Sequence, residues 1–394
     1  MPDHRIDSRT LWLLSLCAFA SMASMRVCDA MLPVLAAEFS ATIGQAARTI
    51  SGFALAYGVL QLIYGPLGDR HGKARVVGLA TLACTIGSAA AALSPSLDWL
   101  IASRVLTGVA AAGIIPLSMA WIGDSVAYEV RQEVLARLLG ATVFGMICGQ
   151  WLGGLISEWT GWRSAFAVLA VIFLVSGTAL TKRTGALTRS TTAAIGAVEG
   201  RLFVVLSRPW ARVVLVITCI EGMLAFSALA FIPSQLHAAF HLTIAWSGAI
   251  VALYGVGGLL YSHYARVLLR RFGETGLARL GGTCMCFAFT TIAFAPSWYW
   301  AMPACLLAGF GFYALHNTLQ TNATQMAPAS RGAAVSLFAC VLFLGQSIGV
   351  LLAATLVDRF SYSVVFAFSA LGLLLLGGAF AHLVGQRHKY LMEA

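Results

Sequence analysis

Charged residues are scarce in this chain of 394 residues. They make up 10% of the sequence, with only 15 acidic side chains, whereas apolar residues make up 59%. Ordinary globular domains contain about 25% charged residues. The mean hydropathy of +0.85 corresponds to more apolar surface than a soluble core of this length can bury. The composition therefore excludes a soluble globular fold and favours a helical bundle inside a lipid bilayer.

Sequence signatures of catalysis are missing as well. The chain contains no P-loop, no GxSxG nucleophile turn and no HExxH zinc motif, the patterns that place phosphates, nucleophiles and metals in an active site. Its nine cysteines are scattered through apolar runs; Cys284 and Cys286 form only a CxC pair, and none has metal-ligand spacing. We expect no enzyme activity, no metal and no cofactor.

The net charge of +10 resides in short loops between apolar runs. A nucleic-acid-binding protein needs its basic residues on one face of a soluble domain, so we expect no nucleic-acid partner. Basic loops between apolar segments instead indicate how a membrane protein is oriented.

Long apolar runs make up most of the chain. A helix needs about 20 mostly apolar residues to cross a bilayer. Twelve segments meet this requirement, and we predict an all-α membrane protein with twelve transmembrane helices. The segments lie near residues 11–37, 47–66, 74–94, 98–121, 136–157, 162–181, 211–235, 243–268, 276–295, 298–320, 333–357 and 362–384.

One long polar stretch, residues 182–210, separates the sixth segment from the seventh. Its Arg, Ser, Thr and Gly residues are typical of a linker. We therefore predict a six-helix bundle at residues 1–181, a cytoplasmic linker at residues 182–210 and a second six-helix bundle at residues 211–394.

Basic side chains are divided unevenly between the two ends of the predicted helices. Roughly twenty lie at the end that includes the N-terminus and the linker, the bias that marks a cytoplasmic side. Only Arg48, Arg163 and Arg359 lie at the other end, which we call the outer end. Both termini are therefore predicted to be cytoplasmic, and that side is called the inner end.

The two predicted bundles also resemble each other in sequence. Gly149-Gln150 in the fifth segment recurs as Gly345-Gln346 in the eleventh, 196 positions later. Tyr57-Gly58 in the second segment matches Tyr254-Gly255 in the eighth. Similar offsets in several places indicate a duplication, and six crossings return the chain to the same side as a parallel repeat requires.

Three motifs carry a resemblance to a known family. The stretch Gly65-Pro-Leu-Gly-Asp-Arg-His-Gly-Lys-Ala-Arg75, between the second and third segments, closely resembles the signature of the major facilitator superfamily. Arg104-x-x-x-Gly108 resembles a second signature of that family. The glycines from Gly145 to Gly154 resemble the fifth-helix motif of its proton-coupled exporters, with Gln150 where those proteins carry proline. The resemblance implies a two-bundle transporter fold in a bacterial inner membrane, a monomer, a small-molecule substrate and protons as partners.

The basic stretch between the second and third segments is a candidate conformational latch. Its glycines permit close helix approach and a tight turn, and its charges can pair with acidic residues of neighbouring loops, for which Asp124, Glu129 and Glu133 are candidates. The alternative role of its arginines is to fix the membrane orientation. The predicted latch consists of Gly65, Asp69, Arg70, Gly72, Lys73 and Arg75.

Four charged residues lie inside predicted helices, where charge is costly and usually functional. Arg26 and Asp29 share one helix face, and Arg104 enters from the outer end at a similar depth, so we expect an Asp29–Arg104 contact. Glu221 lies near mid-membrane without a basic neighbour in sequence. Asp29 or Glu221 is predicted to carry a coupled proton. The alternatives are a permanent ion pair at Asp29 and a neutral, hydrogen-bonded carboxyl at Glu221.

The tenth segment carries a polar face, which predicts one wall of a cavity. Its members recur at helical spacing: Tyr313, His316, Asn317 and Gln320. Further polar or adaptable side chains on other segments complete the predicted substrate site: Met25, Gln61, Gln150, Phe226, Tyr254 and Gln346.

Together these features predict a secondary transporter that works by alternating access, with proton-coupled efflux of small, partly hydrophobic organic compounds as the leading hypothesis. A transporter of anionic metabolites is the alternative, because Arg26, Arg104 and His316 can hold a carboxylate. A non-transporting sensor on a transporter fold is a third possibility, although such a protein has little use for charges inside the membrane.

Overall fold

A computed structural model describes residues 8–184 and 202–393, without the side chains of residues 129, 329 and 388–393. All regular structure in these residues is helical. The first half contains α1 (Ser8–Arg26), α2 (Leu32–Glu38), α3 (Ile43–Ala46), α4 (Arg48–His71), α5 (Lys73–Ala92), α6 (Leu97–Ala111), α7 (Ile114–Ser125), α8 (Tyr128–Thr160) and α9 (Trp162–Thr184). The second half contains α10 (Pro209–Phe240), α11 (Ile244–Phe294), α12 (Ala301–Gln325), α13 (Arg331–Arg359) and α14 (Tyr362–Glu393).

Ten helical stretches of the described residues are long and apolar enough to cross a membrane. They coincide with the predicted segments except in two places. The first predicted segment is divided between α1 and α2, and the eighth and ninth both lie within α11.

The division of the first segment follows from Pro33. A proline ring collides with the carbonyl group four residues earlier and removes one helical N–H, so a continuous helix is blocked at residue 29. The chain instead forms turns, in which the N–H of Asp29 donates to Arg26 at 3.1 Å and that of Met31 donates to Cys28 at 3.0 Å. Pro33 then lies in the first turn of α2, where its missing N–H costs nothing.

The 51-residue α11 is two helices joined at Gly273, where the backbone adopts φ 62°. Only glycine reaches this region without strain. Both parts pack against the same turn of α12. A β-carbon at Gly258 would lie 2.4 Å from the Tyr313 side chain, and one at Gly281 would lie 2.6 Å from the backbone oxygen of Gly311. The chain therefore folds back at Gly273, and the predicted separation into two segments is correct.

The predicted linker is shorter at both ends than the sequence indicated. Residues 182–184 complete α9, residues 202–206 are helical, and α10 begins at Pro209. Residues 185–201 lie outside the described part of the chain. Lys182 and Arg183 thus form part of the last turn of α9, where basic side chains interact favourably with the helix dipole.

Equivalent glycines of the two halves make equivalent contacts. A β-carbon at Gly149 would meet the backbone oxygen of Ala23 at 2.4 Å, and one at Gly345 would meet that of Cys219 at 2.0 Å. Both members of the second pair lie 196 positions after those of the first. The duplication predicted from sequence is therefore present in the helix packing.

The two halves meet through two equivalent helix pairs. Gly58 of α4 packs against Phe343 of α13, and Gly255 of α11 packs against Ile147 of α8. Glycine allows the backbones to approach closely. The interface thus surrounds a central region in which α1, α10 and α12 place their polar side chains.

Candidate functional site

A buried ion pair lies at the break in the first membrane segment. Nη1 of Arg26 is 3.6 Å from Oδ2 of Asp29, and the two side chains are 1% and 0% exposed. Arg26 is the last residue of α1, and Asp29 precedes the first turn of α2. A cation at a helix C-terminus and an anion before an N-terminus are both favoured by the helix dipoles. The helix ends at the break therefore stabilise the pair, which is buried among the neighbouring helices.

Arg104 does not pair with Asp29, in contrast to the expected contact. Its Nη1 donates to Oγ of Ser24 at 3.0 Å and its Nη2 donates to the Ser24 carbonyl at 2.7 Å. The guanidinium also lies 4.3 Å from the centre of the Phe53 ring. Arg104 thus anchors α6 to α1 two residues before Arg26, and Arg26 is the partner of Asp29. The sequence indicates only the depth of Arg104 in the membrane, and Ser24 and Asp29 both lie near that depth, so the sequence could not show which of them Arg104 contacts.

A second buried pair lies in the second half. Nδ1 of His316 on α12 is 2.9 Å from Oε2 of Glu221 on α10, and Glu221 is 0% exposed. Both residues are recognisable in the sequence as polar groups inside apolar segments, but their contact is not, because 95 positions separate them. The basic partner that Glu221 lacks in sequence is therefore supplied by the polar face of α12.

Aromatic rings connect the two pairs. The Arg26 guanidinium lies 4.5 Å from the centre of the Phe226 ring. Phe226 lies 5.2 Å from Phe312, which stacks on His316 at 4.9 Å. Phe312 was missed by sequence reasoning, since a phenylalanine in an apolar helix gives no functional signal. A central cluster thus extends from Arg26 in one half to Glu221 in the other.

The predicted polar face of α12 becomes more exposed toward the inner end. His316 is 13% exposed, Asn317 is half-buried and Gln320 is exposed. Tyr313, one turn before His316, is half-buried against Phe312. The face therefore leads from the inner end to the buried Glu221.

The other predicted substrate contacts are buried. Tyr254 lies 5.8 Å from Phe312, and its buried hydroxyl makes no hydrogen bond among the described residues. Gln150 is 0% exposed, and its amide atoms make no hydrogen bond among the described residues. The remaining three are Met25 and Gln61, 1% and 5% exposed, and Gln346, 0% exposed.

The predicted latch is partly ordered around Lys73. Its Nζ contacts a carboxylate oxygen of Asp124 and lies 3.3 Å from Oδ1 of Asp69. The tight turn expected at Gly72 is confirmed, with φ 88° between α4 and α5. All three charged partners belong to the first half, so the contacts seen here join α4, α5 and α7 rather than the two halves.

Other latch residues make different contacts from those expected. A β-carbon at Gly65 would have no neighbour within 4 Å, whereas one at Gly68 would meet Leu117 at 2.4 Å. The close approach predicted at Gly65 is therefore found at Gly68. Arg70 and Arg75 are exposed.

The three acidic residues predicted as latch partners differ in what they contact. Glu133 pairs with Arg137 in the next turn of α8, which is a local helix contact. The side chain of Glu129 lies outside the described residues. Asp124 is thus the predicted partner that the structure brings to the latch.

Carboxylates join the two halves at the outer end. Asp358 accepts hydrogen bonds from the Thr42 hydroxyl at 2.6 Å and the Gly44 N–H at 3.0 Å. Glu158 accepts one from the Ala245 N–H at 3.0 Å. The two carboxylates are 200 positions apart, so each half caps a helix start of the other. Sequence analysis missed both residues, although their common offset was available as a signal.

Three of the glycines that resemble the exporter motif, Gly145, Gly149 and Gly153, form a glycine strip along α8. β-carbons at Gly145, Gly149 and Gly153 would lie 2.3, 2.4 and 2.9 Å from the backbone oxygens of Phe19, Ala23 and Val27. The opposite side of α8 touches the other half, where Gly154 approaches Ile244. The strip therefore holds α8 against the segment that carries the Arg26–Asp29 pair.

Comparison with known proteins identifies a family match over most of the chain. The model of the Major Facilitator Superfamily matches residues 14–338. This range includes the latch, both charge pairs and the polar face of α12.

Similar curated proteins are transporters of bacteria. The chain is 22% identical over 350 residues to the uncharacterized transporter YceJ of Bacillus subtilis, covering 88% of each protein. It is 26% identical to YybF of the same organism, over 40% of this chain and 39% of YybF. It is 32% identical to the multidrug resistance efflux pump PmrA homologue of Lactococcus lactis, over 31% of this chain and 30% of that protein. The last two matches thus span well under half of the relatives' length.

Solved structures with similar folds are transporters too. A mutant of the nucleoside transporter NupG superposes with a TM-score of 0.78 at 13% identity, covering 94% of this chain and 98% of that chain. A bacterial homologue of the human lysosomal transporter Spinster, in an inward-facing conformation, gives a TM-score of 0.74 at 16% identity and covers 98% of both chains. At these identities the likeness concerns the fold alone.

Proposed function

Because this chain belongs to the major facilitator superfamily, we propose that it is a proton-coupled secondary transporter that exports small, partly hydrophobic organic compounds. It is a multi-pass membrane protein, and we place it in a bacterial inner membrane as a monomer with twelve crossings and both termini in the cytoplasm. Residues 1–181 and 211–394 act as the two moving bundles, connected by the linker.

The observation that carries the proposal is the presence of two buried carboxylates, each with one basic partner. Asp29 faces Arg26 in the first half, and Glu221 faces His316 in the second. A buried charge is stable only while its partner remains. Uptake or loss of a proton at either pair therefore changes how favourably the surrounding helices pack, which is the link a coupled transporter needs.

The contacts between the halves support alternating access. The outer end is closed by Asp358 and Glu158, while the polar face of α12 is exposed toward the inner end. We interpret this arrangement as a state open to the cytoplasm, the side on which we place the inner end. Reversal requires the outer contacts to separate and the inner end to close.

The Lys73 cluster supplies a device for that closure. In the state described here Asp69 and Asp124 share Lys73 within the first half, and Arg70 and Arg75 are exposed. We assign these arginines and Asp69 to contacts with the second half when the inner end is closed. Gly72 fixes the turn that holds the charges together.

Export as the direction of transport is supported by the distant relatives. The PmrA homologue and the multidrug export protein EmrB of Escherichia coli, which is 29% identical over 39% of this chain and 30% of EmrB, carry efflux or export in their names. The glycine strip of α8 resembles the exporter motif. Adaptable aromatic and methionine side chains near the centre suit partly hydrophobic compounds.

The coupling is tested with purified protein in liposomes under an imposed proton gradient. Glu221→Gln and Asp29→Asn each replace a carboxyl with an amide of the same shape. The residue that carries the proton should, when replaced, abolish gradient-driven accumulation and retain downhill exchange. Glu133→Gln, which alters a surface pair of α8, is the matched control and should behave as the parent.

Two results would contradict the proposal. If the parent moves no organic cation, anion or neutral compound under the gradient, the transport function is wrong. If both carboxylate variants accumulate substrate as the parent does, neither residue carries the proton.

Transport of anionic metabolites is the second candidate function. Nε and Nη1 of Arg26 have no hydrogen-bond partner among the described residues, and the pair with Asp29 is 3.6 Å long, so the guanidinium keeps donors that a substrate carboxylate can accept from. Comparing organic anions with organic cations in the same liposomes separates this function from the first.

A further inference from the structure

We propose that His316 relays protons between Glu221 and water at the inner end. In this role Glu221, and not Asp29, carries the coupled proton, and the proton enters and leaves the inner side through the imidazole ring. The inference rests on the proposed transport function, because it names the proton carrier of that function and the route to it.

The two buried carboxylates have partners of different chemistry. Asp29 faces Arg26, and a guanidinium keeps its proton at every physiological pH, so it cannot pass one on. Glu221 faces His316, and a neutral imidazole has one nitrogen that donates and one that accepts. Histidine is accordingly the side chain that most often transfers protons in proteins. The Glu221 pair is therefore suited to proton transfer, and the Asp29 pair to a permanent charge.

The two pairs also differ in exposure. Both members of the Asp29 pair are buried, at 1% and 0% exposure. Glu221 is 0% exposed as well, but its partner His316 is 13% exposed. Toward the inner end, His316 is followed on α12 by the half-buried Asn317 and the exposed Gln320. A proton from the inner end therefore reaches His316 before it reaches Glu221.

The two ring nitrogens of His316 have separate surroundings. Nδ1 lies 2.9 Å from Oε2 of Glu221. Nε2 makes no hydrogen bond with the described residues, and it is not one of their fully buried polar atoms. One nitrogen thus contacts the carboxylate while the other is accessible, which is the arrangement that a proton relay requires.

Two phenylalanines hold the imidazole ring in this orientation. The centre of the His316 ring lies 4.9 Å from that of Phe312, with 11° between the ring planes. It lies 5.3 Å from the centre of Phe338 on α13. Aromatic contacts of this kind are favourable, so they oppose rotation of the ring. Nδ1 therefore stays directed at Glu221 while protons exchange at Nε2.

The other titratable groups around this centre keep their protons at neutral pH. Tyr254 on α11 and Tyr313 on α12 lie 5.8 and 5.6 Å from the Phe312 ring centre. Arg26 on α1 lies 4.5 Å from that of Phe226. Phenols and guanidinium groups both stay protonated near neutrality. None of these three side chains can therefore replace the imidazole as a relay.

Proton release to the inner end follows from the contacts of the two nitrogens. The neutral Glu221 carboxyl transfers its proton from Oε2 to Nδ1, and the proton on Nε2 leaves to water. The ring gains one proton and loses one, so its charge is unchanged, and Glu221 is left ionised. Uptake from the inner end runs through the same positions in reverse.

The test follows the protonation of Glu221 in the purified full-length chain in lipid nanodiscs. A light-triggered acid jump starts protonation, and time-resolved infrared spectroscopy records the carbonyl band of neutral carboxyl groups. The component of this band that is missing from Glu221→Gln belongs to Glu221. Its rate of appearance measures how fast protons reach the buried carboxylate, without any transported compound.

The variant His316→Asn separates the relay from the hydrogen bond. The asparagine amide nitrogen can take the place of Nδ1, so the Glu221 component should still reach its full amplitude. No second ring nitrogen receives the proton, and the rate should fall at least about tenfold, since a positioned proton-transfer group contributes about 10²–10⁴-fold. The control is His263→Asn, which changes an exposed histidine of α11 and should keep the parent's rate.

Chemical rescue provides a second test that does not depend on the asparagine variant. In His316→Ala the position of the ring is vacated at the exposed end of the polar face, so dissolved imidazole should restore the rate. It should not restore the rate in His316→Asn, where a side chain still occupies the position. A thermal melt of each variant establishes that it is folded.

The outcomes separate the relay from the transport function. Parent-like rates in the His316 variants, or a carbonyl band that Asp29→Asn removes and Glu221→Gln leaves intact, would overturn the relay. Proton-driven accumulation in liposomes would then still support the transport function, with another route for the proton. If the rates fall as expected and no compound accumulates under a proton gradient, the relay stands and the transport function is wrong.

Discussion

The carboxylate of Asp358 accepts a hydrogen bond from the backbone N–H of Gly44, although 314 positions separate the two residues. Glu158 and Ala245 form the equivalent contact with the halves exchanged. Each carboxylate lies at the start of a helix of the other half, where the helix dipole favours negative charge. The outer end is therefore closed by two related contacts instead of one.

Removing these carboxylates should open the outer end. Asp358→Asn and Glu158→Gln should each shift the equilibrium between the closed and the open outer end by about 1 kcal/mol, because the hydrogen bonds are partly exposed. This corresponds to roughly a fivefold change in the ratio of the two populations. The double variant should show both effects. Spin labels at Thr160 and Phe360, in a cysteine-depleted background, report the separation of the halves, and an unchanged distance distribution would count against this role.

Gly44→Ala provides a steric version of the same experiment. Its β-carbon would lie 2.4 Å from the Asp358 carboxylate, a distance that real β-carbons do not tolerate. The outer end should open with the charge on Asp358 intact. Gly123→Ala, whose β-carbon would have no neighbour within 4 Å, should give the distance distribution of the parent.

Alanine in the glycine strip should destabilise the first half. In Gly149→Ala the new β-carbon would lie 2.4 Å from the backbone oxygen of Ala23, and backbone cannot rotate away as a side chain can. We expect a loss of about 1–3 kcal/mol, measured as a lower melting temperature. Gly140→Ala lies on the same helix with no neighbour within 4 Å, and it should be neutral or stabilising. Equal stability of the two variants would show that the strip is not closely packed.

Arg104 should contribute more to stability than its partner Ser24. Arg104→Lys loses the forked contact with Ser24 and the stacking on Phe53, and we expect about 2 kcal/mol or more. Ser24→Ala keeps the bond to the backbone carbonyl and should cost about 1 kcal/mol. Thermal melts in detergent give the order, with Arg137→Lys on the surface as the control. The reverse order would mean that the hydroxyl and not the carbonyl anchors Arg104.

Acid should weaken the contact of Glu38 with Trp162 and Arg163. Burial opposes ionisation of Glu38, but the hydrogen bonds from Arg163 and Trp162 and the Arg163 charge outweigh it and lower its pKa. A lowered pKa in the folded state means that the ionised carboxylate stabilises the fold at neutral pH and that this contribution is lost as the pH falls through the folded-state pKa. The melting temperature of Glu38→Gln should lie below that of the parent at neutral pH, and the difference should diminish in acid. A constant difference would exclude ionisation as the cause.

The membrane-spanning helices could be predicted from sequence, because the length of an apolar run is read from consecutive residues alone. The break at residues 27–31 was not predicted, although Pro33 was visible, because the apolar run continues through it. The turn at Gly273 was predicted as a gap between segments, because Arg270 and Arg271 interrupt the apolar pattern there.

Contacts between residues that are distant in sequence could not be predicted and are seen only in the structure. Arg104 had two possible partners at one depth, Ser24 and Asp29, and helix rotation decides between them. The Glu221–His316 pair depends on how α10 and α12 face each other, which no local pattern records. Only the repeat offers long-range information, because residues 196 to 201 positions apart occupy equivalent places.

The single-residue connection at Gly273 has a mechanical consequence. Consecutive Cα atoms are fixed about 3.8 Å apart, so the two helices of α11 cannot slide past each other where they join. Since the first of them touches α8 of the other half through Gly255 and Ile147, any tilt imposed there reaches the second helix without slack. A tilt of the first helix of α11 therefore moves the adjoining end of the second. The torsional stiffness of the backbone at Gly273 determines how much of that tilt the second helix follows.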